Sequence, residues 1–321
     1  MGVFENLLVG LAGSEADDEL IRHARHAAEA ALVENVRFAH VRPNEGSPDE
    51  AAACQAALEM RIATAWPTRQ SSGPSQPACR ALAGPLIDRL LEHIVEERID
   101  LVLVGHRKER SGRRSLARRL AMTAPCSLWM VPEAGPSPQG GPEPNSSEDH
   151  EVGGVRAAPP RRILVPIDFS DHSAQALSVA TALAARCGLS ECRALHVSFD
   201  PSRVSFEEYE AVRRGEERAT FDRFMESIDC HGVRVEPSFE EGPHVADTIL
   251  RVSEEQRSDL IVLGTRGRTQ SSAILLGSEA EQTLVRTRIP CLLVKKSGPP
   301  MSFLEALFDQ QTYRQGRLQF S

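Results

Sequence analysis

The chain has 321 residues, of which 41% are hydrophobic and 26% charged, a composition typical of a soluble globular protein with about two domains of ordinary size. Its formal net charge of −8 disfavours a general nucleic-acid binder, and no apolar run approaches the ~20 residues that a membrane-spanning helix requires. Residues 1–6 resemble neither a signal peptide nor a myristoylation site. We therefore expect a protein of the cytoplasm.

Four short segments in the first part of the chain return in the second part. The matching pairs are Leu7–Val9 with Ile163–Val165, Ala39–Val41 with Leu195–Val197, 98–107 with 257–266, and Pro125-Cys126 with Pro290-Cys291. Segments that recur in the same order indicate two copies of one domain. We assign the copies to residues 1–133 and 161–297, followed by a tail at 298–321.

The first copy carries a basic cluster around a predicted helix start. Its members are Arg107, Lys108, Arg110, Arg113, Arg114, Arg118 and Arg119. Because the helix dipole disfavours cations at a helix start, an anion is expected to relieve this arrangement. The candidates are a phosphate-bearing ligand, an acidic partner and linker acids such as Glu148, and the alternative is a solvated basic face. Nucleic acid is less favoured, since the cluster lacks aromatic residues and the chain is acidic.

Residues 134–160 lack hydrophobic periodicity and are rich in Gly, Pro, Ser and acidic residues. This composition is typical of a flexible linker. A coil of this length has a root-mean-square reach on the order of 30 Å, from about 5 to 6 Å times the square root of its length. The linker is long enough for the two copies to pair within one chain.

In the second copy, short apolar segments alternate with helical patterns. Strands are predicted at 163–167, 193–197, 233–239, 260–263 and 291–294, and helices at 171–187 after a Ser170 cap, at 205–228, at 245–255 and at 279–286. This alternation predicts an α/β fold with a doubly wound, five-stranded parallel sheet in each copy. In such sheets ligands bind beyond the carboxyl ends of the strands, near the point where the strand order reverses.

A glycine-rich segment follows the fourth predicted strand of the second copy. Gly264 stands where the strand must turn, Gly267 allows the backbone to approach a ligand, and Gly277-Ser278 opens a helix whose free amides favour an anion. This spacing predicts a loop around phosphates. The alternative is a flexible surface loop in which Ser278 only caps the helix.

Together with two further positions, this loop identifies a family resemblance. Residues 161–296 resemble the universal stress protein domain, whose ATP-binding members carry the loop G-x2-G-x9-G-[ST]. Asp168 in the segment VPIDFS and Val197 in LHV match the family's nucleoside-pocket positions. The resemblance implies an adenine-nucleotide-binding α/β fold, pairing of domains into dimers or pseudo-dimers, and ATP at the carboxyl edge of the sheet.

The resemblance also implies a set of site residues. They are Asp168, Val197, Gly264, Arg266, Gly267, Arg268, Gly277, Ser278 and Glu279. Asp168 and the Val197 backbone would hold the nucleoside, and the loop would surround the phosphates, with Mg²⁺ held through them. The two arginines would neutralise phosphate charge, or else remain solvated. An alternative role for Asp168 is to favour the helix start that follows it.

The first copy departs from this pattern. Ala12 stands opposite Asp168, and only six residues separate Gly105 from Gly112, whereas twelve separate Gly264 from Gly277. We therefore predict that the first copy does not bind ATP in the family's manner and serves pairing or regulation. An intramolecular pseudo-dimer is expected, and further association into a homodimer stays open.

The seven cysteines form no C-x-x-C pair, and their odd number predicts reduced thiols rather than a disulfide framework. No metal site is expected from them.

Three functions remain: an ATP-binding stress-response or signalling switch with an unidentified protein partner, a slow ATP hydrolase, and a scaffold for another ligand such as a lipid. The switch is favoured over an enzyme because the sequence fixes none of His172, His196 and His244 as a general base.

Overall fold

The structure, a computed structural model, describes residues 2–66, 77–106, 115–133, 158–198, 207–265 and 276–295. The first half of the chain contains β1 (Phe4–Leu11), α1 (Asp17–Glu29), β2 (Val33–Arg42), α2 (Pro48–Ala65), β3 (Ala78–Ala83), α3 (Leu86–Glu96), β4 (Leu101–His106), α4 (Leu116–Thr123) and β5 (Ser127–Pro132). The second half contains β6 (Ile163–Ile167), α5 (Asp171–Arg186), β7 (Glu191–Ser198), α6 (Glu207–Met225), β8 (Arg234–Glu241), α7 (Val245–Glu255), β9 (Leu260–Gly264), α8 (Ser278–Arg286) and β10 (Cys291–Val294).

The ten strands within the described residues form one sheet in the order β3-β2-β1-β4-β5-β10-β9-β6-β7-β8. Every neighbouring pair within each half is parallel, which confirms the predicted α/β fold with five parallel strands in each copy. The halves meet through β5 and β10, which run antiparallel with Trp129 opposite Leu292. The two copies therefore pair edge to edge as a pseudo-dimer within one chain.

Two hydrophobic clusters cover the two faces of this sheet, and each extends through both halves. Alternation along β1 sends Leu7 and Val9 to one cluster and Leu8 to the other, as expected for a strand buried on both faces. In the second half, Val165 and Leu164 divide in the same way. Because both faces are buried, helices pack on both sides of the sheet.

Matching hydrogen bonds show that the repeat extends to individual side chains. The Asp100 carboxylate accepts from the amides of Glu5 and Asn6 at 2.7 and 2.8 Å. The Asp259 carboxylate accepts in the same way from the amides of Arg161 and Arg162. In both halves, a carboxylate before the fourth strand thus fixes the start of the first strand.

Helix boundaries follow local capping. The hydroxyl of Ser170 accepts from the Ser173 amide at 3.3 Å, which confirms the cap predicted for α5. Ser47 and Glu50 form a reciprocal capping box at the start of α2. Among the described residues, none of the helices combines the length and the apolar character needed to cross a membrane.

All seven cysteines are free thiols, as the sequence predicts. Burial raises the pKa of the Cys126 and Cys192 thiols to about 12 and raises that of Cys291 as well. These thiols therefore stay protonated and behave as small apolar core residues. Within the described ranges, no group of three His, Cys, Asp or Glu side chains has an arrangement suited to a metal ion.

Candidate functional site

A cleft of about 240 Å³ opens at the carboxyl ends of β6 and β9, where the strand order of the second half reverses. This is the position at which doubly wound sheets bind ligands. The cleft brings together six of the nine residues predicted from sequence: Asp168, Val197, Gly264, Gly277, Ser278 and Glu279. The other three, Arg266, Gly267 and Arg268, lie outside the described residues.

Asp168 follows the last residue of β6 and forms part of the cleft wall. Its Oδ1 accepts from the Ser170 amide at 3.1 Å and from the Ser170 hydroxyl at 2.6 Å. The Asp168 amide donates to the Ser173 hydroxyl at 3.4 Å. The carboxylate therefore stabilises the start of α5, as the alternative interpretation expected, while it lines the cleft.

Phe169 has a left-handed backbone conformation with φ of 63°, which is uncommon for a bulky residue. Its ring stacks on His196 with 4.5 Å between centroids and meets Phe224 edge-on at 5.5 Å. His196 is fixed in turn by a 3.1 Å hydrogen bond between its Nδ1 and the Ile167 carbonyl. The aromatic contacts hold the residue that follows Asp168, and nothing in the sequence pattern alone indicates this.

Gly264 is the last residue of β9, beside the first turn of α5. A Cβ atom at this position would lie 2.7 Å from the backbone oxygen of His172. The glycine is therefore required by the close approach of α5, a reason different from the expected turn. Substitution here would displace a backbone that carries the cleft wall.

The start of α8 forms the opposite wall of the cleft. Gly277 is the N-cap residue and has no side-chain cap, so the alternative in which Ser278 caps the helix is wrong. Ser278 is the first helical residue and is exposed. The amides of a first helical turn lack intrahelical partners, and the dipole favours an anion beside them.

Glu279 has a partner that the sequence did not predict. Its Oε2 accepts from the Ala246 amide at 3.0 Å, in the first turn of α7. The carboxylate therefore links the starts of α7 and α8 and stabilises the amino-terminal dipole of α7. This contact gives Glu279 a structural role beside its position in the cleft.

The remaining lining is largely apolar and comes from β7, α7 and β9. Its side chains include Leu195, Val245, Ile249 and Leu263. Val197 lies in β7 opposite Glu240 of β8. A planar, weakly polar ring fits against such a surface, whereas the Asp168 carboxylate and the start of α8 offer polar contacts at its ends.

None of the three histidines singled out in the sequence belongs to the described cleft lining. His196 is held by Ile167 and Phe169, and His244 is the N-cap residue of α7. His172 faces Gly264 through its backbone oxygen. The described part of the cleft therefore presents binding groups without a histidine placed as a general base.

The corresponding point of the first half is organised differently. Asp17 stands where the second half has Ser173, and its buried carboxylate accepts from the amides of Ala12, Gly13 and Ser14 at 2.7 to 3.0 Å. Arg61 lies 3.7 Å from the same carboxylate. In the first half, the Asp17 carboxylate thus occupies the backbone amides that follow β1.

Comparisons with known proteins match both halves. The sequence model of the universal stress protein family matches residues 4–132 and 160–295. A universal stress protein of Methanocaldococcus jannaschii is 30% identical over 142 residues, covering 42% of this chain and 82% of that protein. One from Thermus aquaticus is 33% identical over 141 residues, covering 42% and 98%.

A solved structure shows the same fold over most of the chain. The universal stress protein from Archaeoglobus fulgidus covers 92% of this chain and 97% of its own, with a TM-score of 0.60 and 17% identity. The family match, the repeated hydrogen bonds and the parallel sheet of each half all agree. The chain belongs to the universal stress protein family and carries two copies of its domain in tandem.

Proposed function

We propose that this protein is a stress-response or signalling switch that binds ATP in its second half. The observation that carries the proposal is the cleft at the strand-order reversal, which has Asp168 on one wall and the start of α8 on the other. The apolar surface around Ile249 would receive the adenine ring. The Asp168 carboxylate would bind the ribose hydroxyls, and the start of α8 would face the phosphates.

The glycine motif supports the phosphate assignment, with Arg266, Gly267 and Arg268 as proposed contacts and Mg²⁺ held through the phosphates.

We further propose that residues 1–133 and 161–297 are the two domains, joined by 134–160 and followed by the tail 298–321. The first domain would be structural or regulatory, since Ala12 replaces the acid and Asp17 occupies the amides at the end of β1. Localisation in the cytoplasm remains part of the proposal.

A nucleotide assay separates this function from its alternatives. Purified protein is denatured, any released nucleotide is identified, and fresh protein is then followed with ATP and Mg²⁺ over hours. Bound ATP without phosphate release supports a switch. Phosphate release that Ser278→Ala abolishes would favour a slow hydrolase. If no adenine nucleotide binds, a scaffold for another ligand such as a lipid is favoured.

Asp168→Ala tests the site directly. We expect ATP affinity to fall by about five- to 150-fold, because ribose hydroxyls would lose their carboxylate partner at a cost of about 1 to 3 kcal/mol. Gly277→Val should also weaken binding, since its branched side chain occupies the approach to the start of α8. Calorimetric titration measures both.

Gly105→Ala is the matched control, because Gly105 is the next-to-last residue of β4 in the first half and corresponds in the repeat to Gly264, the last residue of β9. Its added Cβ would lie 3.2 Å from Oε1 of Glu133, the end of a flexible side chain. ATP affinity should therefore stay at the parent value. If Asp168→Ala and Gly277→Val also bind ATP like the parent, the proposed site is wrong.

A further inference from the structure

The first half holds α8, the helix that forms one wall of the cleft, at both ends. Near its start, Nε of Arg118 lies 2.5 Å from Oε1 of Glu281. At its end, Nε2 of His106 lies 3.2 Å from the Val285 carbonyl. Arg118 belongs to α4 and His106 to β4, so residues of one domain fix a helix that belongs to the binding cleft of the other.

The Arg118–Glu281 ion pair identifies an anionic partner for one member of the basic cluster of the first half. Arg118 pairs with an anion of the second half, the Glu281 carboxylate. Both side chains are about one quarter exposed, at 28% and 25%, so solvent screens this pair less than a fully exposed one. The other described member of the cluster, Arg119, is exposed on the same helix.

Glu281 lies in the part of α8 where a negative charge would oppose an incoming anion. The first turn of α8 contains two acids, Glu279 and Glu281, and Glu281 follows Ser278 by three residues, or about one helical turn. Glu279 is engaged by the Ala246 amide. Among the residues that the structure describes, the cation paired with Glu281 is Arg118, which belongs to the first half.

We propose that Arg118 of the first half sets the anion affinity of the cleft in the second half by neutralising Glu281. This inference rests on the proposed function and gives the first domain a definite role in it. Arg118 is a positioning residue that acts through Glu281. Because its guanidinium neutralises the Glu281 carboxylate, the dipole at the start of α8 can attract phosphate without opposition from that negative charge. Residues of both domains then contribute to one binding site.

The two partners should therefore have opposite effects on binding. Arg118→Gln leaves Glu281 unneutralised and should weaken ATP binding by about three- to tenfold at low salt. Glu281→Gln leaves the Arg118 cation without its carboxylate near the start of α8 and should strengthen binding by about the same factor. The double variant should bind close to the parent value. Raising the salt concentration should reduce the differences of both single variants from the parent.

Calorimetric titration of the full chain with ATP and, separately, with inorganic tripolyphosphate measures these affinities. The melting temperature of each variant is recorded alongside, because loss of the ion pair should lower it for either single variant. If the ion pair were only structural, both single variants would have a lower melting temperature, but their affinities would not shift in opposite directions. Arg218→Gln is the control, since it removes the same charge from the exposed Arg218–Asp222 pair of α6.

The outcomes separate the inference from the function on which it rests. Opposite shifts of the two single variants, for either probe, support the role of Arg118. Parent-like affinity, or a shift of the same sign in both variants, overturns the inference and leaves ATP binding intact. A parent that binds neither ATP nor tripolyphosphate overturns both together. If Arg218→Gln lowers ATP affinity as much as Arg118→Gln does, the effect of Arg118 comes from the net charge of the protein alone, and the inference is overturned.

Discussion

At the scale of single residues, the second residue after the first strand of each half adopts a positive φ. Gly13 has φ of 78° in the first half, and Phe169 has φ of 63° in the second. Gly13 faces the His40 ring, and Phe169 stacks on His196. Each histidine bonds a carbonyl of its neighbouring strand, Leu11 or Ile167. The two halves thus share one backbone geometry, which glycine allows in the first half and aromatic packing stabilises in the second.

This geometry predicts an unusual order of stability for two substitutions. Phe169→Gly and Phe169→Ala both lose the ring contacts and should both be less stable than the parent. Because glycine accepts positive φ without steric cost, Phe169→Gly should be more stable than Phe169→Ala by about 0.5–1 kcal/mol. Urea denaturation measures the free energy of unfolding of each variant.

Phe239 provides the control, since it belongs to the same aromatic group but lies in β8 with ordinary strand geometry. There the order should reverse, and Phe239→Ala should be more stable than Phe239→Gly. The interpretation of Phe169 fails if both positions give the same order.

At the scale of elements, the close approach of α5 to β9 predicts a difference between two glycines. Gly264→Ala places its Cβ against the His172 backbone at 2.7 Å, so α5 must shift. We expect the free energy of unfolding to fall by about 1–3 kcal/mol, the usual cost of overpacking. The Cβ of Gly105→Ala would lie near side-chain atoms of Glu133 and Leu20, the nearest at 3.2 Å, rather than against backbone. The free energy of unfolding of this variant should therefore stay within about 0.5 kcal/mol of the parent.

Chemical denaturation of the two variants beside the parent provides this comparison. Equal losses in both would show that the α5 backbone is not the constraint at Gly264. A loss of ATP binding in Gly264→Ala without loss of stability would instead assign Gly264 to the ligand.

Local patterns determined much of what the sequence predicts at this scale. The bounds of Ile163–Ile167, Val245–Glu255 and Cys291–Val294 agree with the structure. These segments are marked by apolar runs and adjoining polar residues, so their ends depend on nearby sequence. The position of Asp168 in the cleft also follows from topology, because carboxyl ends of parallel strands share one edge.

Contacts between elements could not be predicted in this way. The bond from Ala246 to Glu279, the ion pair of Arg118 with Glu281 and the close approach of His172 to Gly264 each join segments distant in sequence. Their residues have no periodicity or spacing that identifies the partner. Asp17 was missed for a related reason, because its carboxylate turns back onto amides that precede its helix.

At the scale of the whole molecule, a buried histidine lies beside the joint between the halves. His23 of α1 meets the ring of Trp129 of β5 edge-on at 6.5 Å, and Trp129 pairs with Leu292 across the joint. Burial lowers the pKa of His23 below its ordinary value of 6.5. The folded chain therefore keeps this imidazole neutral at pH values where the unfolded chain protonates it.

The sign of the pH dependence follows from this difference. As the pH falls through 6.5, the unfolded state binds a proton that the folded state does not, so the free energy of unfolding decreases until the folded pKa is reached. His23→Gln cannot titrate and should show a smaller decrease between neutral and mildly acidic pH. Urea denaturation at pH values above and below 6.5 measures the effect.

His231→Gln is the comparison for that measurement, because the His231 side chain is about one third exposed, at 37%, and lies away from the joint. His23→Gln should change the fall in stability more than this variant does, because His23 is the buried imidazole of the two. If His23→Gln matches the parent, burial of His23 does not contribute to the pH dependence.

The joining of both copies in one chain has a consequence for how the protein changes by mutation. In a homodimer of identical subunits, every substitution enters the assembly twice, at symmetry-related places. Here β5 and β10 pair while their halves carry different residues, so Asp17 and Arg118 each occur once. Because both copies lie in one chain, a substitution in one half leaves the paired half unchanged, so the two halves can differ at corresponding positions.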